Sequence, residues 1–328
     1  MITIGFSSHR AEALPYARRQ MEQHQVIVLE EAPSPDFLDM LDHRLPIEEY
    51  MMGLDSGFPE FERQMCVLLR ELHSKDRQII QVEPYLEILL QIHELLSDGK
   101  TPEDIVKDPR LEGVYKAEKH ATGALLNYYT HSLKAPFDEV VQAVKTFAQA
   151  DAARLILRER MRAQAIKPLV SDGVDVYVEA GYIHYPLYHY LKKALGRAQR
   201  ISIVYLLAPV VRRLQGRRRN MGPGDILTLH YALHGRVPGD QADLLAARSL
   251  IYIKLLRKDE LLPGDSDTPH SEDEVRVNRV VDSLSLEGCR ILFDRIRLGK
   301  REGALQIVQS YLAAGERSKP IRSIAFSG

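Results

Sequence analysis

The stretch VDVYVEAGYIHYPLYHYLKKAL, residues 174–195, changes its periodicity half-way along. It opens on the apolar run Val174 to Val178 and leaves on a helix-like pattern. Short, near-continuous apolar runs rich in valine suit strands buried on both faces. Between the two halves, Val178 to Tyr190 hold two histidines, one glutamate and four tyrosines. A strand followed at once by a helix is one unit of an α/β fold, and this one ends in titratable groups.

Working outward, similar apolar runs occur at Ile2 to Phe6, Val26 to Leu29, Gln78 to Val82 and Ile201 to Leu207, with a weaker one at Ile226 to Leu233. Helical patterns separate them. Phe58, Phe61, Met65, Leu68 and Leu72 hold a period near 3.6, and Pro84 opens a helix with the stripe Tyr85, Leu89, Ile92 and Leu96. This alternation predicts a mainly parallel sheet of about five to six strands flanked by helices.

The segment from about Glu112 to Ile166 carries no strand signal. Ala117, Ala121, Ala124 and Tyr128 form one stripe; Phe137, Val140, Val144 and Ala148 form another. The break at Lys134-Ala135-Pro136 predicts a long helical hairpin. The division that results is an α/β domain over 1–234, with a helical insertion over about 100–166, and a helical C-terminal extension over 235–328. In that extension Leu244, Ala247 and Ile251 mark one helix, and Leu305, Val308 and Leu312 mark the last, with Gly315 as its C-cap. Ser271-Glu272-Asp273-Glu274 reads as a capping box. The polar segment LLPGDSDTPHSEDE reads as a mobile loop.

Composition sets the class. The 328 residues are 45% hydrophobic and 27% charged, with a formal net charge of −1. That is an ordinary globular balance, and no global field favours nucleic acid or an anionic membrane. Two cysteines, Cys66 and Cys289, lie in apolar-periodic segments and read as buried thiols rather than a disulfide framework. With no signal-like leader and no 18-residue apolar window, a cytoplasmic protein is expected. The run VVRRLQGRRRN, with Arg212, Arg213, Arg217, Arg218 and Arg219, has no interleaved aromatic residues and reads as a solvated loop.

Ligands of open parallel sheets bind beyond the carboxyl ends of the strands. At those ends stand Ser7-Ser8-His9-Arg10, then Glu30 and Glu31, then Glu83, then Glu179, Gly181 and His184. Four strands thus deliver a carboxylate or imidazole to one edge. These are ligand types for Mn²⁺, Fe²⁺, Co²⁺ or Zn²⁺. In the hairpin, Glu159 interrupts the stripe Ala152, Leu155, Ile156, Ala163 and Ile166, a costly position for a carboxylate unless it is paired or faces a polar cavity. Arg158 and Arg162 lie one turn apart beside it, and Arg160 flanks it. There is no GxGxxG, no Walker motif and no GxSxG.

These residues resemble a known family. Gly181-Tyr182-Ile183-His184, followed by a helix and a strand, is similar to the second GxxH motif of the TraB/PrgY, GumN and Tiki proteins, within the erythromycin-esterase-like and ChaN-like group. RERMRAQAI resembles that group's helix bearing a Glu-Arg pair, which falls on Glu159 and Arg160. IGFSSH followed by VIVLEE resembles the first GxxH and the acid after the next strand, and IIQVEP the acid-bearing third strand. The first motif, Gly5 to His9, is one residue longer than GxxH. The likeness spans residues 1–207. It implies a metal-dependent hydrolase, peptidase-like or esterase-like, acting on a small molecule or peptide. His9, Glu30 and His184 would hold the metal; Glu31, Glu83, Glu159 and Arg160 would be catalytic. Haem or another planar ligand, held by His184 among Tyr182, Tyr185 and Tyr188, is the alternative, and an inactive scaffold a third. No nucleic-acid or membrane partner is expected, and a homo-oligomer is compatible with the sequence.

Overall fold

Five parallel strands form one sheet in the order β3-β2-β4-β1-β5. They are β1 (Ile2–Ser7), β2 (Val26–Leu29), β3 (Gln78–Gln81), β4 (Val176–Gly181) and β5 (Ile201–Tyr205). A computed structural model gives the architecture and describes residues 1–54, 57–171, 173–196, 199–215, 220–264 and 266–317. Every residue of β1 and β2 is buried, the expected consequence of covering a parallel sheet on both sides. The α/β class, the parallel sheet and the helical C-terminal region are as the sequence implies.

Side-chain alternation sorts the two faces. Ile27, Leu29 and Tyr177 point into a core made with helices Leu14–Met21, Phe37–Leu41, Ile47–Met52 and Pro59–His73. Ile2, Ile4, Phe6, Val28, Val176, Val178 and Ala180 point to the other side, against Ala163 and Ile166 of the long helix Phe137–Ile166 and Leu187 and Leu191 of helix Pro186–Leu195. Gly5 pairs with Glu179 in the register of β1 and β4. A Cβ on Gly5 would stand 2.1 Å from the Tyr177 hydroxyl, so this glycine is the space that lets Tyr177 lie fully buried beneath β1.

The hairpin forms where the sequence places it. Helix Pro109–Lys134 is capped by the Asp108 side chain on the Arg110 N–H, and it turns at Ala135-Pro136 into Phe137–Ile166. The hairpin tip does not stand free as a lid. Tyr128, Phe137, Val140, Val141, Val144 and Ala148 share one core with Leu227, Leu250, Ile251, Val281, Leu292, Phe293 and Val308. The tip and the C-terminal helices therefore bury each other's apolar faces.

Several expectations give way. Ile226 to Leu233 lies in helix Pro223–His234, not a strand; Pro223 supplies a helical first turn, and an apolar run of this length has no periodicity that separates helix from strand. Gly315 lies inside the last helix, Arg301–Arg317. The Ser271–Glu274 capping box is absent, because the helix begins earlier, at Pro269. Its first N–H groups are met from the opposite end of the chain: the Glu12 carboxylate accepts from the His270 N–H at 3.1 Å and the Ser271 N–H at 2.8 Å. The residue leading into the polar segment is docked as well. The Glu260 carboxylate accepts the N–H groups of Glu60 and Phe61, both at 2.9 Å, at the start of Pro59–His73. Of the basic run, Arg212 and Arg213 end a helix Ala208–Gln215, and residues 216–219 lie outside the described residues. Cys66 and Cys289 are buried free thiols.

Candidate functional site

Adjacent residues at a strand end point to opposite faces, and this separates Glu30 from Glu31. Glu30 continues the face of Val28 and meets the long helix and His184. Glu31 continues the face of Leu29, where the Gln81 side-chain amide donates to it at 2.7 Å. Burial, with Glu179 nearby, pushes the Glu31 carboxyl up to about 7.

The Glu30 carboxylate is saturated with donors. His184 Nε2 lies 2.7 Å from its Oε1, and the Arg158 guanidinium donates to the same oxygen at 3.0 Å. The Gly181 N–H donates to Oε2 at 2.7 Å, with Arg162 Nη1 at 3.5 Å. Burial alone would raise this carboxyl, but His184 and the two arginines outweigh it and hold the group well below the usual range.

His184 is the pivot. Its Nδ1 makes a short contact with Glu159, which is fully buried. Burial works against a charged imidazole, yet Glu30 and Glu159 overcome it and lift His184 to about 9. At neutral pH the ring is an imidazolium clamped between two carboxylates. Glu83, also fully buried, lies 3.1 Å from Arg158 and 3.8 Å from Arg162; burial nonetheless raises its carboxyl. Arg162, itself fully buried, donates to the Val82 carbonyl at 3.1 Å and the Glu179 carbonyl at 2.7 Å, and so fastens the ends of β3 and β4. Glu30, Glu83 and Glu159 thus face Arg158, Arg162 and the His184 imidazolium. Such a set tolerates burial because its charges are paired.

Above this network lies a cavity of about 350 Å³. One wall comes from the strand ends: Ser7, Ser8, His9, Glu30 and Gly181 to His184. The other comes from Asn220, just before helix Pro223–His234, and from Asp225, Tyr252 and Glu274 on the C-terminal helices. His9 stands at the rim with its side chain 40% exposed, stacked on Phe61, and its Nε2 faces Glu179 at 3.9 Å. Burial raises the Glu179 carboxyl, against the pull of His9. On the far wall burial raises Asp225 to about 6 and, against the attraction of Arg10, Glu274 to about 7. Asn220 donates to Glu274 at 3.2 Å.

The sequence thus locates Glu30, Glu83, Glu159 and His184, which the fold assembles, and His9, which it sets at the cavity rim. Glu31 falls on the other side of the sheet. Arg160 is exposed: it lies two positions from either Arg158 or Arg162, about 200° around the helix, and those two are the arginines that reach the site. Asp225, Tyr252 and Glu274 carry no local signal, since each sits on its own amphipathic helix far along the chain.

Thirty-four per cent of residues are identical over 293 positions to an uncharacterized protein of Archaeoglobus fulgidus, covering 89% of this chain and 97% of that one. The chain belongs to the same family as this archaeal protein. No family model matches the chain, and no solved structure does. No described helix is long and apolar enough to cross a membrane.

A divalent metal, as the family resemblance implies, needs free lone pairs. Both nitrogens of His184 are engaged by carboxylates. Among the described residues no group of three His, Cys, Asp or Glu side chains is placed to hold a metal ion, so His9, Glu30 and His184 do not form a ligand set in this arrangement. The residues as arranged do not fit a resident metal, and no step below uses one. For haem, Tyr182 lines the cavity, but Tyr185 and Tyr188 pack against each other and His189.

Proposed function

We propose that the chain is a hydrolase of an ester or amide, acting by acid–base chemistry in the cavity at the strand ends. The observation that carries this reading is that His9 and His184, brought by the adjacent strands β1 and β4, share one cavity wall and each faces carboxylate. Their environments differ sharply, which is how one site separates acid–base roles. His184 is locked as a cation and cannot act as a base near neutrality. The His9 side chain is 40% exposed at the rim, while its Nε2 is buried and turned toward Glu179.

In this reading water attacks the substrate carbonyl while the His9 imidazole takes its proton at Nδ1, the nitrogen not turned toward Glu179. The same imidazolium then returns that proton to the departing oxygen or nitrogen, so one shuttle serves both halves of the reaction. The negative charge that develops on the carbonyl oxygen is met by the His184 imidazolium at the cavity wall, with the Arg158 guanidinium behind it, held in place by Glu30 and Glu83. The likeness of GYIH, residues 181–184, to the TraB/PrgY, GumN and Tiki motif supports placing the chemistry at this strand end.

The test is a panel of 4-nitrophenyl esters and fluorogenic peptides assayed with wild type, H9N and R158Q, each with and without chelator. Loss of about 10²–10⁴-fold in kcat/KM for H9N, with wild-type turnover surviving chelator, is expected. Turnover indifferent to H9N would overturn the assignment. Chelator-sensitive turnover restored by Mn²⁺ or Zn²⁺ would replace it with a metal-dependent reaction.

A further inference from the structure

The two walls of the 350 Å³ cavity differ in how their charges are matched. At the strand ends Glu30 is paired with the His184 imidazolium. The other wall carries Asp225 and Glu274, and no Lys or Arg lines the cavity among the described residues. There each carboxylate is met by a neutral donor: Asp225 by the Gly222 N–H, and Glu274 by the Asn220 amide at 3.2 Å, itself held by Asn278 at 2.5 Å. Arg10 attracts Glu274, but its guanidinium lies 3.6 Å over the Phe58 ring and does not line the cavity. Tyr252 belongs to the same wall. It is 9% exposed, and its hydroxyl has no hydrogen-bond partner among the described residues. A phenol so deeply buried, on a cavity wall and without a partner, points to a ligand that supplies one. Burial, with Glu274 and Asp225 close by, raises its pKa, so it stays a neutral hydroxyl with lone pairs to offer. Gly222 makes room for its ring: a Cβ there would stand 2.8 Å from Tyr252 Cε1.

Resting on the hydrolase reading above, we propose that the substrate is a compact cationic ester or amide, its ammonium group held by Asp225, Glu274 and the Tyr252 hydroxyl while its carbonyl lies at the His9 and His184 wall. The donors and acceptors match. A primary ammonium has three N–H donors and no acceptor. Two carboxylates and a phenol oxygen offer three acceptors, two of them charged, and hydrogen bonds between charged partners are the strong ones. Burial holds the Asp225 and Glu274 carboxyls up at about 6 and about 7, and an ammonium beside them favours their ionised forms. An anionic substrate would meet two like charges in a confined space and is refused. Volume sets the size. With water occupying about 30 Å³ in the liquid, the cavity has room for roughly ten heavy atoms, a small molecule and not a protein chain.

Binding and turnover are measured apart. Binding is read by isothermal titration at pH 8, where both carboxyls are ionised, with butylamine (protonated at that pH), 1-butanol and butyrate as cationic, neutral and anionic probes. Wild type is expected to bind butylamine about tenfold or more tighter than 1-butanol, the scale of one charged hydrogen bond, and butyrate more weakly than either. D225N and E274Q should each weaken butylamine binding by about tenfold and Y252F by less, with the fold of each variant checked by circular dichroism. Turnover is read as kcat/KM, from released acetate, on N-(4-aminobutyl)acetamide, its neutral isostere N-pentylacetamide and the anionic 5-acetamidopentanoate. The cationic amide should be favoured by about tenfold or more over the neutral one, and D225N and E274Q should bring that ratio toward one. Butylamine binding that the variants weaken, with no amide or ester hydrolysed, would leave the cation site standing and sink the hydrolase reading. Hydrolysis with no preference for the ammonium would sink the cation site, and so would butylamine binding that D225N and E274Q leave unchanged.

Discussion

At the scale of single residues, His184 gives the sharpest expectation. Its pKa rises from 6.5 to about 9 in the fold, because Glu30 and Glu159 outweigh burial. A raised value means that the folded state holds the proton more tightly than the unfolded chain. The stabilisation is therefore complete below pH 6.5 and disappears as pH climbs through about 9, a difference on the order of 3 kcal/mol. Urea unfolding of wild type between pH 6 and 10 should show this decline, and H184Q should flatten it; parallel curves for the two proteins would refute the clamped imidazolium. The arginines give a second test. R158Q, which removes charge behind the cavity wall, should lower kcat/KM by less than the roughly 10²–10³-fold of a lost oxyanion donor, whereas R160Q should leave both activity and stability within error. The strand-end acids were readable in the sequence because parallel strands send their carboxyl ends to one edge. The choice among Arg158, Arg160 and Arg162 was not, since the family likeness points to the Glu-Arg neighbour while helix geometry turns that neighbour outward.

At the scale of elements, β1 and β4 are fitted to each other through a missing side chain. The ring of Tyr177 fills the space that a Cβ at Gly5 would take, and its hydroxyl is buried without a hydrogen-bond partner among the described residues. G5A should cost about 1–3 kcal/mol by overpacking, read as a lower denaturation midpoint. Y177F removes a buried, unsatisfied hydroxyl and should be neutral or stabilising by up to about 1 kcal/mol. Equal loss in both would mean that the hydroxyl makes a contact the packing does not reveal. Strand positions came through from the sequence almost unchanged, because valine- and isoleucine-rich runs buried on both faces have few other uses. Ile226 to Leu233 is the instructive exception. A largely apolar octet fits a core helix as well as a strand, and the proline three positions before it carries the distinction.

At the scale of the molecule, the C-terminal helices are part of the site and not an attachment to it. They supply Asp225, Tyr252 and Glu274 to one cavity wall and share a core with the hairpin tip. The sequence shows where those helices run but not which of their faces meets the sheet edge, since that depends on contacts between residues more than 200 positions apart. Glu12 and Glu260 show how the two parts are joined. Each comes from one part of the chain and satisfies the first N–H groups of a helix in the other. E12Q and E260Q should each cost about 0.5–2 kcal/mol, the range for a lost cap, measured by chemical denaturation.

That crossed arrangement bears on how the chain can be divided. Residues 1–234 expressed alone would keep a start to helix Pro59–His73 stripped of its acceptor, and residues 235–328 alone a start to helix Pro269–Asp282 in the same condition. Neither piece is self-sufficient, yet each carries the missing acceptor of the other. The two polypeptides made together in one cell should find one another and co-purify, and replacing both glutamates should weaken that reunion more than either replacement alone.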